Sequence, residues 1–286
     1  MISIPVAVYC ELFRWELDLF WHSHKKMYNL QAYKKAHAII IKRNKPQENI
    51  QEKNEWKTDI PYTMCDSYFD YRNEEHNHML IPMNIQIGLQ QIIHKFFDDD
   101  ILELLDCDMF HFKRHPPIHL QHDQMITSDI YENWHMFTKN KNKFVIEKYF
   151  LNEGKYYNGG FVPIIATKKT FQKILADWIW IHQDIIKTLD KPDQHNMRWW
   201  GGMFALQAAC ERNKVEMISR DYCYVPLANN INDNQYIGHY SVDKTFDKRQ
   251  YPNLSWESFP NNSYYNMTKD WNNFSIANSP LYKMFI

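Results

Sequence analysis

Asp106-Cys107-Asp108 stands directly after an apolar run, Ile101-Leu102-Glu103-Leu104-Leu105, and is followed by apolar Met109 and Phe110. In an extended segment residues i and i+2 point the same way, so the two carboxylates would project together while Cys107 turns back into the core. Two convergent carboxylates just past a buried strand suit a hard divalent cation, and open α/β sheets gather their ligands outside the carboxyl ends of strands. Mg²⁺ or Mn²⁺ held by one or two carboxylates together with diphosphate oxygens is the chemistry expected there. The competing reading is a solvated turn. Asp98-Asp99-Asp100, ahead of the strand, holds a second Asp-x-Asp that reads as such a turn.

The elements that must position this pair alternate in type along the chain. Ile4 to Tyr9 predicts a strand, and Glu11 to about Tyr28 a helix with Leu12, Trp15, Leu19 and Phe20 at helical spacing. Ala36 to Ile41 and Tyr62 to Cys65 predict further strands, and Pro82 opens a helix to about Phe97. Strands are expected at Ile101 to Leu105, Lys143 to Phe150, Phe161 to Ala166 and Val215 to Ile218, with helices at Lys169 to about Leu189 and Phe204 to Arg212. This alternation predicts an α/β fold with a mainly parallel central sheet flanked by helices. Beyond about Asn230 the pattern weakens. The expected organisation is one domain over 1–240 and an irregular C-terminal tail, 241–286, packed on it.

Composition narrows the function. The 286 residues carry 33 Lys+Arg against 34 Asp+Glu, so there is no charge excess to attract a nucleic acid. Apolar runs fall far short of the roughly 20 residues of a membrane span, and no basic segment precedes the first of them, so a cytoplasmic protein is expected, in the host cytoplasm if viral. Five cysteines without a CxxC suit reduced, mostly buried thiols. Of only seven glycines, four form the pairs Gly159-Gly160 and Gly201-Gly202, expected where the backbone needs unusual torsions or approaches a ligand closely. No GxGxxG, GxxxxGK[ST] or GxSxG occurs, which argues against dinucleotide-binding dehydrogenases, P-loop enzymes and α/β-hydrolases. His111, His115, His119 and His122 crowd together, but Pro116-Pro117 spoil a helical presentation and no cysteine pair accompanies them, so zinc is not expected. His22-x-His24 reads as a solvated helix face.

Three stretches carry a resemblance. Pro82-Met83-Asn84 opens a helix ahead of Leu104-Leu105-Asp106-Cys107-Asp108-Met109. Tyr157-Asn158-Gly159-Gly160-Phe161 is a small-residue strand entry. Gly238-His239-Tyr240 is followed by Phe246-Asp247-Lys248-Arg249-Gln250-Tyr251. In this order, over roughly residues 1–250, the chain resembles nucleotide-sugar glycosyltransferases of the GT-A fold. It is similar in particular to a group related to plant hydroxyproline and serine glycosyltransferases and to enzymes of large algal viruses.

The resemblance implies a metal-dependent transferase that moves a hexose, deoxyhexose or pentose from a UDP-sugar to a hydroxyl of a glycan or glycoprotein. Asp108 would bind the metal, Asp106 the metal or the donor ribose, and His239 would supply a third ligand, which favours Mn²⁺ over Mg²⁺. Lys248 or Arg249 would neutralise the leaving diphosphate, unless they are plain surface charge. Tyr9 and Cys10 would meet the donor base and ribose, and Asp66 the ribose, with core packing the alternative for Tyr9. Asn158, Gly159 and Gly160 would let the backbone approach the sugar or simply form a tight turn. Asn84 would reach the donor or cap its own helix. Trp199-Trp200-Gly201-Gly202 is similar to a Trp-Gly-Gly-Glu-Asp stretch of some inverting galactosyltransferases, but Met203 and Phe204 stand where the acids belong. Trp199 and Trp200 would stack on an acceptor sugar, or else belong to the core. The catalytic base must then lie elsewhere: Asp193 is the candidate, with Glu153 and Asp177 as alternatives. Two rivals are a sugar nucleotidyltransferase, whose Gly/Arg/Lys-rich loop is missing from Cys10 to Arg14, and a non-catalytic carbohydrate-binding protein rich in Trp and Tyr.

Overall fold

Leu102, Leu104 and Leu105 are fully buried, as are Ile39, Ile40 and Ile41, because both runs form strands covered on both faces. The computed structural model describes residues 1–9, 11–28, 35–42, 60–67, 83–111, 113–128, 147–151, 160–188, 195–224 and 233–239. In chain order these hold β1 (Ile2–Val8), α1 (Glu11–Tyr28), β2 (Lys35–Ala36), β3 (Ala38–Ile41), β4 (Tyr62–Cys65), α2 (Asn84–Ile92), β5 (Ile101–Asp106), β6 (Met109–His111), β7 (Gln124–Ser128), β8 (Phe161–Thr167), α3 (Lys168–Thr188), α4 (His195–Arg212), β9 (Glu216–Arg220), β10 (Cys223–Tyr224) and β11 (Ile237–His239).

The main sheet has the order β4-β3-β1-β5-β8-β7-β9, with β2 also paired to β1. β1 is parallel to β2, β3 and β5, β3 to β4, and β7 to β9, whereas β8 is antiparallel to both its neighbours. The expected α/β class with a mostly parallel central sheet is therefore what the chain forms, with one reversed strand. That reversal has a consequence for the site. Gly160 and Phe161, just before and at the start of β8, come to the same edge as the last residues of β1, β3, β5 and β7.

α2 lies on the face carrying Ile39 and Ile41, whose side chains reach Gly88. Helix α3 packs on α4, and α4 on β9. Glu103, one step out of phase with Leu102 and Leu104, turns to the other face. α1 packs against β1 and β6, and a small second sheet of order β10-β11-β6 is formed from residues on either side of the main sheet's later strands. No helix among the described residues is long and apolar enough to cross a membrane.

Several expectations are corrected. The stretch Lys143 to Phe150 is not a strand where it is described, since 147–149 form a single helical turn. Helix α4 begins at His195 rather than Phe204, so Gly201-Gly202 lies inside it. The pair serves helix packing there: added Cβ atoms would meet the ring of His182 of α3 at 3.3 and 3.0 Å. The segment after Asn230 is not merely irregular, because Ile237–His239 forms a buried strand. His24 faces the core, not solvent, amid the rings of Phe20, Trp21, Tyr28 and His111.

Candidate metal centre at the carboxyl edge of the sheet

β5 ends at Asp106, Cys107 and Asp108 form a turn, and β6 starts at Met109. The two carboxylates thus converge by a tight turn, not by the two-residue alternation of an extended strand. Cys107 does turn inward: its Sγ donates to Glu16 Oε2 of α1 at 3.1 Å, and both residues are buried. β6 then pairs antiparallel with β11, with Met109 opposite His239 and Phe110 opposite Gly238. The pairing delivers the imidazole to the turn.

His239 Nε2 lies 3.0 Å from Asp108 Oδ1 and 3.6 Å from Asp106 Oδ2. Asp108 and His239 are buried, while the Asp106 side chain is about one-third exposed, at 35%. One ligand atom from each of the three falls within 4.8 Å of the others. Two ligands bound at right angles, each about 2.1 Å from a small cation, stand about 3 Å apart, so the spacing fits a divalent ion with one side open to solvent. Two carboxylates and an imidazole make a donor set for a divalent cation. The surrounding field is negative. Cys223 of β10 has its thiol pushed well above the usual range by burial first, then by Asp106, Asp108 and Asp221.

Phe161 reaches this cluster, and Gly160 precedes it in the chain. The Phe161 ring is 5.3 Å from that of His239, and Gly160 N donates to Thr127 Oγ1 of β7 at 2.9 Å. Gly160 has φ +104°, and an added Cβ would lie 3.1 Å from Met203 O of α4, so a positive torsion and a close helix both call for glycine. Asn158 and Gly159 lie outside the described residues.

Along the same edge Tyr9 N donates to Ile41 O at 2.8 Å, and its side chain packs partly against the core. Asp66 follows β4. Its backbone is clamped by Gln91 of α2, and its exposed carboxylate accepts from Lys42 Nζ at 3.0 Å, so a cation shares the position assigned to a ribose contact. Asn84 does not act as the helix cap: the N-cap is Met83, without a side-chain cap bond. Asn84 Oδ1 is buried and has no hydrogen-bond partner among the described residues, and neither has Ser128 Oγ at the end of β7. Such groups cost roughly 1–3 kcal/mol unless a ligand or water satisfies them. No sequence signal marked Ser128 or Glu16, since each matters only through long-range pairing, whereas Phe161 belongs to the small-residue strand entry that the sequence singles out.

Asp177 is not brought to the cluster. It accepts from Asn213 Nδ2 at 2.7 Å, beside Arg212, just before β9 begins, and so at the opposite edge of the sheet from Asp106. Trp199 and Trp200 lie in the first half of α4, and their side chains are outside the described set. Cys10, Glu153, Asp193, Lys248 and Arg249 lie outside the described residues altogether. Of the crowded histidines, His111 is buried against Phe20, Tyr28 and Tyr236, and His122 is exposed 3.8 Å from Asp99.

No protein-family model matches the chain, and no curated protein is significantly similar to it.

Proposed function

We propose that the chain is a metal-dependent glycosyltransferase of the GT-A type, transferring a sugar from a UDP-sugar to a hydroxyl of a glycan or glycoprotein. The observation that carries this reading is the meeting of Asp106, Asp108 and His239 at the carboxyl edge of the parallel strands. In open α/β sheets that edge is where nucleotides bind. The mostly parallel sheet with a single reversed strand is compatible with the GT-A arrangement that the motifs suggest.

In this account Asp108 and His239 would hold the cation, and Asp106, about one-third exposed, would face both cation and donor. A bound cation would supply positive charge beside the diphosphate of the leaving UDP. Gly160 and Phe161 border the sugar, and Asn84 and Ser128 offer oxygens that a donor would satisfy. Lys248 or Arg249 adds charge to the leaving group, Trp199 and Trp200 stack on the acceptor, and Asp193 deprotonates its hydroxyl.

The test is UDP binding by calorimetry with and without Mn²⁺, in wild type and His239→Ala. The reading expects Mn²⁺-dependent UDP binding that His239→Ala weakens at least about tenfold. UDP binding indifferent to both Mn²⁺ and His239 would contradict it.

A further inference from the structure

Glu103 is fully buried at the centre of the main sheet, a costly place for a carboxylate, and both its oxygens are engaged. Ser3 Oγ of β1 donates to Oε2 at 2.6 Å, and Tyr236 Oη donates to Oε1 at 2.7 Å. Ser3 and Tyr236 are themselves buried. Burial and the adjacent Glu103 charge hold the Tyr236 hydroxyl well above its usual range, so it remains a donor.

The positions of these contacts relative to the metal cluster are informative. Glu103 lies on β5 three residues before Asp106, and Tyr236 lies three residues before His239. Tyr236 meets Glu103, and His239 meets Asp106 and Asp108. The segment Tyr236 to His239 therefore runs alongside Glu103 to Asp106 in the same direction, fixed at both ends. Between them Gly238 lies against Phe110, which sets the depth of the strand. At the far end of the β10-β11-β6 sheet from the turn, the Tyr236 ring stacks on His111 at 6.0 Å.

We propose that Tyr236 and Glu103 are positioning residues whose hydrogen bond holds His239 in ligating register with the Asp106-Asp108 turn. The proposal rests on the metal reading of that cluster. A well-packed apolar pair would fill the same core space without burying a charge, and buried ionic groups of this kind are retained in some proteins because they specify one geometry. The bond joins the strand bearing two ligands to the segment bearing the third, so here the geometry specified is that of the site. Ser3, on β1, engages the other oxygen of the same carboxylate, which makes it the internal control.

The experiment measures Mn²⁺ binding to the full chain by calorimetry, together with amide hydrogen exchange over 237–239, in Tyr236→Phe, Ser3→Ala and Glu103→Gln. Tyr236→Phe is expected to weaken Mn²⁺ on the order of tenfold and to speed exchange in β11. Ser3→Ala should leave both readouts near wild type. Glu103→Gln keeps an oxygen for Tyr236 and should restore Mn²⁺ affinity relative to Tyr236→Phe. Equal weakening by Ser3→Ala and Tyr236→Phe would reduce the network to general stability and overturn the proposal, as would wild-type affinity and exchange in Tyr236→Phe. If Tyr236→Phe does not fold, the Ser3→Ala and Glu103→Gln pair decides: Mn²⁺ weakened by Ser3→Ala but not by Glu103→Gln contradicts the proposal. A wild-type chain that binds no Mn²⁺ would sink the metal reading, and the exchange data alone would then show whether Tyr236 holds the strand.

Discussion

His239 Nε2 stands 3.0 Å from Asp108 Oδ1, and the strand that carries the imidazole there has glycine at 238 facing the ring of Phe110. A Cβ at 238 would lie 2.8 Å from Phe110 Cζ, and Phe110 is fully buried. Gly238→Ala should therefore push β11 away from β6, costing about 1–3 kcal/mol. Denaturant unfolding measures the stability and calorimetry the loss of Mn²⁺ affinity that must accompany it. A stable variant with unchanged affinity would show that β11 can shift without moving His239.

Asp108 is the more enclosed of the two carboxylates. Asp108→Ala is expected to abolish Mn²⁺-dependent UDP binding and transfer, by at least about a hundredfold, with the fold retained by circular dichroism. Unchanged activity would remove the metal assignment.

Gly160→Ala places a side chain at φ +104° and 3.1 Å from a helix carbonyl. The expected cost is about 1–3 kcal/mol in denaturant unfolding, from backbone strain and the displaced α4 together. A neutral substitution would mean that the β8 entry relaxes without cost.

Asp184 of α3 is held below the usual carboxylate range by its hydrogen bond from Lys148, then by one from Tyr149, whose hydroxyl burial pushes up to about 12. The depressed folded-state pKa means that this stabilisation is present above the unfolded value, near pH 4, and is lost as pH falls through the folded value. Asp184→Asn should cost up to about 1 kcal/mol at pH 7, a small figure because Lys148 is half exposed. The difference from wild type should shrink toward pH 3. An equal difference at both pH values would mean that the variant acts by packing instead.

The thiols of Cys65, Cys210 and Cys223 are raised by burial, Cys65 to about 11. At pH 8 that leaves Cys65 roughly one part in a thousand as thiolate, so native protein should label slowly with a disulfide reagent and unfolded protein quickly. Peptide mapping of the labelled sites checks this, and rapid native labelling of Cys65 would contradict its placement against Gly88.

Much of this arrangement is legible in the residues and part of it is not, for physical reasons. Runs such as Ala36 to Ile41 and Ile101 to Leu105 declare strands because burial on both faces favours apolar sequence. The sense of a strand leaves no mark on its side chains, so the reversal of β8 is invisible, and with it the arrival of Phe161 beside His239. β6, β10 and β11 have two or three residues each, too few for any periodicity. Asp106 and Asp108 stand out by context, whereas the order of motifs, not any local pattern, suggested His239. Glu103 looks like an interruption in an apolar strand until Tyr236 supplies its partner. His24 reads as solvated because histidine is polar, yet its imidazole packs among aromatic rings as another flat ring. Gly201-Gly202 reads as a place of unusual torsions or close ligand approach because the neighbouring His182 that needs the space is on another helix.

The central claim is tested most directly by UDP release from purified protein across a panel of UDP-sugars, with and without Mn²⁺ and without added acceptor, since slow hydrolysis by water reveals a donor when no acceptor is present. The account predicts Mn²⁺-dependent release from one donor, lost in Asp108→Ala. No release from any donor, together with no UDP binding by calorimetry, would contradict it.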